Sequence, residues 1–280
     1  RIHQWTKNLF LFLPIFFGAA ITNLILFYRV SLGFLAFSMI ASIIYILNDY
    51  LDIEKDKIHP VKSQRPLASG KIRPVDALQI ACCLGILGLS LSYYLGLDFL
   101  YIVLLYFFMN VLYSKYLKNI SLLDIYIIAI GFLLRIFAGS ILSDVALSKW
   151  LIMMIFLLAL FVALAKRRDD VLLLQKNQLQ VRTAIKGYSL EFINASMVMM
   201  ASVIIVAYLM YSFSAEVSQR LHYEYTYLPV FWLIAGILRY FQLTFVKEQS
   251  ADPTKILLKD PVVMFIVTCW IITNFILIYY

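Results

Sequence analysis

Nine apolar runs, each about as long as a bilayer is thick, follow one another along this chain with little polar sequence between them. They cover approximately 9–28, 30–48, 75–95, 97–114, 121–142, 149–165, 189–211, 227–246 and 261–280. A helix crossing the hydrocarbon core takes about 20 apolar residues, so nine crossings consume most of the 280 residues. The hydrophobic share is 63%, whereas a soluble domain closes its core with roughly 45–50% apolar residues. Lipid offers no partner to a free backbone group, and the runs lack the alternation of barrel strands, so helices are the spanning form. The expectation is an all-α membrane protein: one nine-transmembrane-helix bundle over residues 1–280, with no separate soluble domain.

The basic residues orient this bundle. With the N-terminus cytosolic, nineteen Lys and Arg fall on the cytosolic side, most of them in segments 49–74 and 166–187, against Arg29, Lys149 and Arg220 outside. That asymmetry is what the positive-inside rule expects, and it favours nine helices with the C-terminus outside, in the cell (inner) membrane. It also accounts for the net charge of +8 without a nucleic-acid partner. The first apolar run is too long for the core of a cleavable signal peptide and lacks a small-residue cleavage site. Cys82, Cys83 and Cys269 fall in predicted spans and imply no disulfide framework. His3, His59 and His222 are scattered, without the spacing of zinc ligands.

Two predicted cytosolic loops are long and rich in both charges, while the outer loops are short, so the chemistry is expected on the cytosolic face. The first reads NDYLDIEKDKIHPVKSQRPLASGKIRP from Asn48 to Pro74. Asp49, Asp52 and Asp56 are spaced i, i+3 and i+7, one stripe of a helix continuing out of the second span, with Asn48 a turn before Asp52. Stacked carboxylates repel unless a cation sits between them, and such hard oxygen ligands suit Mg2+ bridging a diphosphate. A plain solvated acidic helix end is the alternative. Against it stand Lys57, Lys62, Arg65, Lys71 and Arg73, which put phosphate-binding cations in the same loop. His59-Pro60 and Arg65-Pro66 should end the helix and turn the chain back, because a residue before proline disfavours helical backbone.

These residues carry a resemblance. NDxxDxxxD after a second span, followed by RPLASG, resembles the first aspartate-rich motif of the UbiA superfamily of membrane prenyltransferases, whose nine-helix bundle would cover the whole chain. Most of that superfamily carries a second DxxxD motif after the sixth helix. Here the region reads AKRRDDVLLLQKNQLQVRTAIKGY, with Lys166, Arg167 and Arg168 before Asp169 and Asp170, and Tyr188 at its end. Three cations beside an adjacent acid pair make a poorer second metal site and a better phosphate site. The plain alternative is a run of positive charge at a helix end.

Further segments resemble one branch, the decaprenyl-phosphate phosphoribosyltransferases. RIHQWTKN supplies Gln4, Lys7 and Asn8; YSKYLKNISLLD supplies Tyr113, Lys118 and Asp124; GFLLRIFAGS places Arg135 within the fifth span. The resemblance implies transfer of 5-phosphoribosyl from 5-phosphoribosyl diphosphate (PRPP) to a polyprenyl phosphate. Asn48, Asp49, Asp52 and Asp56 would hold Mg2+ on the diphosphate. Gln4, Lys7, Lys62, Arg65, Lys166 and Arg167 would be candidates for the phosphate oxygens, with Asp170 and Tyr188 also counted in the substrate site. Arg135 is too costly to leave in lipid, so it faces the bundle, either as a phosphate clamp or as a structural partner of Asp124 or of helix-end carbonyls. Arg239 reads as structural or snorkelling. A prenyltransferase moving a polyprenyl group to an aromatic acceptor is the rival within the fold. A transporter is the rival outside it, and would place its charges nearer the midplane. Membrane lipids surround the chain, and a homo-oligomer is left open.

Overall fold

A computed structural model describes residues 2–58, 62–175, 183–214, 225–247, 256 and 259–279. Arg1, His59, Pro60, Arg220 and His222 lie outside the described residues, as do the side chains of His3 and Lys62. The described residues are helical throughout, with no strand among them, and eight helices are long and apolar enough to cross a membrane. The protein is therefore a multi-pass helical membrane protein.

The chain divides into two compact units, residues 1–116 with 134–146, and residues 117–133 with 147–280. In the first unit a 3-10 segment, Ile2–Phe12, runs into the short helix α1, Leu13–Phe17. Helix α2 is Leu24–Leu51. Its start is fixed by Asn23, whose side chain accepts hydrogen bonds from the backbone N–H groups of Ile25 (3.1 Å) and Leu26 (3.3 Å), the cap that a helix with four free N–H groups requires. The expected break between the first two spans, around Tyr28 and Arg29, is thus corrected to residues 18–23. The first helical stretch is correspondingly short and is not among the eight spanning helices.

Helix α2 ends at Leu51, with Asp52 at its C-terminal boundary, and a separate turn of helix, α3, covers Ile53–Lys57. The acidic stripe is therefore broken at Asp52 rather than carried on one continuous helix. Helix α4, Pro74–Leu95, starts on a proline whose missing N–H costs nothing there. Gly96, at φ 130°, links it directly to α5, Leu97–Lys115, and few residues other than glycine accept that backbone. The core of this unit joins Leu11, Ile15, Phe37, Ile40, Phe99 and Val103 to Leu134, Ala138 and Leu142. Gly139 lets its helix meet the backbone carbonyl of Leu11, where any side chain would collide.

Helix α6, Leu123–Ser143, gives its first turns to the second unit and its last to the first. In the second unit α7 spans Lys149–Gln175 and α8 spans Leu190–Ser212, the latter capped by Ser189, whose hydroxyl accepts from Phe192 N–H (3.1 Å). Helix α9, Pro229–Phe241, passes into a π-turn at Gln242–Val246, and α10 covers Pro261–Tyr279. The core joins Ile125 and Ala129 to Leu160, Leu164, Ile193 and Met197. The loop expected to begin at Lys166 is corrected: α7 stays helical through Gln175, so Lys166 to Asp170 are helix residues.

Candidate active site

In the first unit the acidic motif closes on a cation, and that cation is Arg65. Its Nη1 lies 3.0 Å from Asp49 Oδ1 and 2.6 Å from Asp56 Oδ2, donating to both. Asp49, on the last turn of α2, and Asp56, on α3, are buried, while Asn48 and Asp52 are half-buried. Arg65 is delivered by a compact turn: Ser69 N–H donates to Arg65 O (2.8 Å), Ile72 N–H to Pro66 O (3.1 Å), and Gly70 turns the chain at φ 74°. Leu67 plugs this turn into the protein. Placed by sequence on a phosphate, Arg65 here bridges two carboxylates.

Two carboxylates that converge on one positive nitrogen offer the hard oxygen ligands a divalent ion takes, with the guanidinium as a stand-in for it. Among the described residues no group of three or more His, Cys, Asp or Glu stands ready to hold a metal. The donor set suits Mg2+, which commonly binds through one or two carboxylates and completes its shell with substrate phosphates and water.

Deeper in the same unit, Arg135 sits mid-helix in α6 and is buried. Its Nε donates to Asn8 Oδ1 (2.8 Å) and its Nη2 to the Tyr106 hydroxyl (2.9 Å), with the guanidinium over the rings of Phe37 and Tyr106. Asn8 in turn donates to Ser38 Oγ (2.9 Å). The arrangement brings Asn8, of the N-terminal 3-10 segment, and Arg135, of α6, together, a contact the sequence reading did not pair, and adds Tyr106, which no motif announced. Gln4, Lys7 and Tyr113 are half-buried.

In the second unit the members of the basic triplet have different surroundings. Lys166 is exposed. Arg167 is 2% exposed, its Nε 2.6 Å from Asp124 Oδ2 and its Nη1 donating to Asp170 Oδ2 at 2.5 Å. The Asp124 contact is one of charge, since the N–H is not aimed at the oxygen. Arg168 donates to Asn194 Oδ1 (3.0 Å) and lies over Phe245. Tyr188 donates to Asp124 Oδ1 (2.6 Å) and accepts from Leu122 N–H (2.8 Å). Burial, and then the bond to Asp124, push the Tyr188 phenol above its ordinary range, so it keeps its proton. Asp124 therefore engages Arg167 and Tyr188, and the sequence's suggestion that it partners Arg135 gives way to this pairing. Lys118, in the turn Leu117–Asn119, is half-buried.

The decaprenyl-phosphate phosphoribosyltransferase of Mycolicibacterium smegmatis is 29% identical, over 97% of this chain and 88% of its own. The protein of the same name from Mycobacterium tuberculosis is 26% identical, over 98% and 90%. A UbiA homologue from Archaeoglobus fulgidus, solved with GPP and Mg2+, shares the fold at a TM-score of 0.71 and 20% identity, covering 99% of this chain and 96% of that one. The model of the UbiA prenyltransferase family matches residues 11–276; the chain is a member of that family.

Proposed function

We propose that this protein transfers 5-phosphoribosyl from PRPP to a polyprenyl phosphate on the cytosolic face of the inner membrane, releasing diphosphate. The observation that carries the reading is the convergence of Asp49 and Asp56 on a single cation, supported by near full-length relatives named for this reaction. On this reading the stretch 2–17 is a ninth crossing beside the eight long helices, which sets the N-terminus in and the C-terminus out.

Asp49 and Asp56, with Asn48 and Asp52 beside them, would hold Mg2+ on the diphosphate; when bound, the ion neutralises that leaving group. Arg65, Lys62, Gln4 and Lys7 bind its remaining oxygens. Lys166, on α7, and Lys118, in the turn before α6, bind another phosphate, while Arg167 with Asp170, Asp124 and Tyr188 ties α7 to the first turn of α6 and to the segment before α8. As the bond from ribose C1 to the diphosphate breaks, C1 gains positive charge, and a phosphate oxygen of the lipid closes the new bond. That oxygen is already anionic and needs no general base. Arg135, Asn8 and Tyr113 contribute to substrate placement. The polyprenyl tail lies in the membrane lipid.

Purified protein is offered PRPP with polyprenyl phosphate and, in parallel, prenyl diphosphate with an aromatic acid. A phosphoribosyl lipid identified by mass is the expected product. A prenylated aromatic product, with none from PRPP, would establish the rival activity instead.

A further inference from the structure

Arg65 has two claims on it: phosphate chemistry calls it to the diphosphate, while the geometry seats it between two carboxylates. We infer that Arg65 is the resident counter-cation of the Asp49 and Asp56 pair, and that it is exchanged for the divalent ion when diphosphate arrives, passing from carboxylate ligand to phosphate ligand. The inference rests on the metal-diphosphate reading above and adds an order and a sign to it.

Three observations support the exchange. Both carboxylate contacts run through the one nitrogen Nη1, at 3.0 and 2.6 Å, so a single positive centre does the work a metal would do. Arg65 is the accessible member, its side chain 27% exposed against 11% and 5% for its partners, so it is the one that water and an incoming anion can reach. It stands on a hydrogen-bonded turn between the 3-10 segment Lys62–Gln64 and α4 rather than on a spanning helix. A turn can shift its side chain without repacking a span.

Charge fixes the sign. The two carboxylates and Arg65 together carry one negative charge. Even with Asp52 beside them adding one more negative charge, a divalent ion placed next to a stationary guanidinium would set two cations against the same few carboxylate oxygens, repelling across a few ångströms in a partly desolvated place. Without an anion, metal and Arg65 therefore compete. With diphosphate both cations have oxygens to bind, so they cooperate. Arg65 thus makes metal binding depend on the diphosphate, which is a coupling free energy between two ligands.

The test uses the full chain in detergent, with Mn2+ alone as the first probe and Mg-pyrophosphate as the second. Free Mn2+ is read from its paramagnetic resonance signal, and Mg-pyrophosphate binding from the thermal shift. Arg65→Gln should bind Mn2+ about tenfold more tightly than wild type and Mg-pyrophosphate about tenfold more weakly. Arg65→Lys, which keeps the charge needed for folding but reaches less far and lacks the planar fork, should tighten Mn2+ about threefold, and it decides the matter if Arg65→Gln fails to fold. Opposite signs for the two probes support the exchange, since a merely structural residue would weaken both. Equal or weaker Mn2+ binding in the variants overturns the exchange and leaves the diphosphate site standing. Wild-type protein that binds no Mg-pyrophosphate overturns the site reading itself.

Discussion

Each unit of the protein holds an arginine between two carboxylates, and the two clamps differ in the access of water. Arg65 is 27% exposed, its partners Asp49 and Asp56 being 11% and 5% exposed. Arg167 is 2% exposed and Asp124 is sealed at 0%, only Asp170 reaching solvent. The first clamp joins a turn to a helix end. The second joins α7 to the first turn of α6, and Tyr188 fixes the far oxygen of Asp124 to the backbone. A buried pair cannot lose one member without stranding the other, whereas a half-open pair can change partners. On the proposed function, chemistry belongs to the open clamp and architecture to the closed one, although both are built from the same charged letters.

The contrast breaks most sharply at the open clamp. Asp49→Asn or Asp56→Asn removes a charge beside a polyanionic leaving group, and turnover should fall on the order of 10²–10³-fold, the scale of losing one preorganised electrostatic contact. The melting temperature should move little, because Arg65 keeps one carboxylate. Full turnover at limiting Mg2+ would end the metal role of this pair. At the closed clamp the pattern reverses. Arg167→Met leaves Asp124 buried without its charge partner and should cost about 3–5 kcal/mol, read as a large drop in melting temperature. A stable Arg167→Met protein with a selective loss of PRPP binding would instead return Arg167 to the phosphate role the sequence suggested.

Much of this architecture is legible in the sequence because hydropathy records it. The 75–95 and 97–114 runs coincide with α4 and α5 almost to the residue, since Gly96 is the only interruption and its φ of 130° makes the turn. The start of α2 is less legible: Arg29 reads as a boundary in the sequence, whereas the structural start is the polar cap Asn23, which accepts from the first free helix N–H groups. The sequence shows the charged letters of the two clamps, but not their pairing. Spacing shows that Asp49, Asp56 and Arg65 share a loop; only the turn at Pro66 to Gly70 brings the guanidinium back onto the acids. Likewise AKRRDD looks like a loop until Asp124, forty-odd residues earlier, supplies the partner that lets Arg167 stay helical and buried. Tyr106 carried no signal at all, being one tyrosine in an aromatic span.

A third arginine sharpens the comparison between open and closed. Arg135 is as buried as Arg167, and two of its hydrogen bonds go to neutral groups, Asn8 and Tyr106. Arg135→Leu strands the acceptors on Asn8 and Tyr106 and should cost about 1–3 kcal/mol, less than Arg167→Met. If Arg135 also places substrate, turnover should fall further than this loss of stability explains. A destabilisation equal to that of Arg167→Met would show that a charge on the protein depends on Arg135.

The smallest effect probes the seal of the closed clamp through pH. Tyr188 has its phenol pushed above the ordinary range by burial and by the Asp124 carboxylate. A tyrosine in the unfolded chain loses its proton near pH 10, while the folded one retains it. The stabilisation is therefore complete below about pH 10 and declines as pH rises beyond that. Tyr188→Phe should cost about 1 kcal/mol at neutral pH, since Leu122 N–H and Asp124 Oδ1 each lose a hydrogen bond. It should also flatten the alkaline fall in stability relative to wild type. Because the chain has 19 tyrosines and each loses its proton near pH 10 once unfolded, the readout is the difference between the two melting-temperature profiles from pH 8 to 11. An unchanged alkaline slope would mean that water reaches the Tyr188 hydroxyl, and the clamp around Asp124 would then be as open as the one around Arg65.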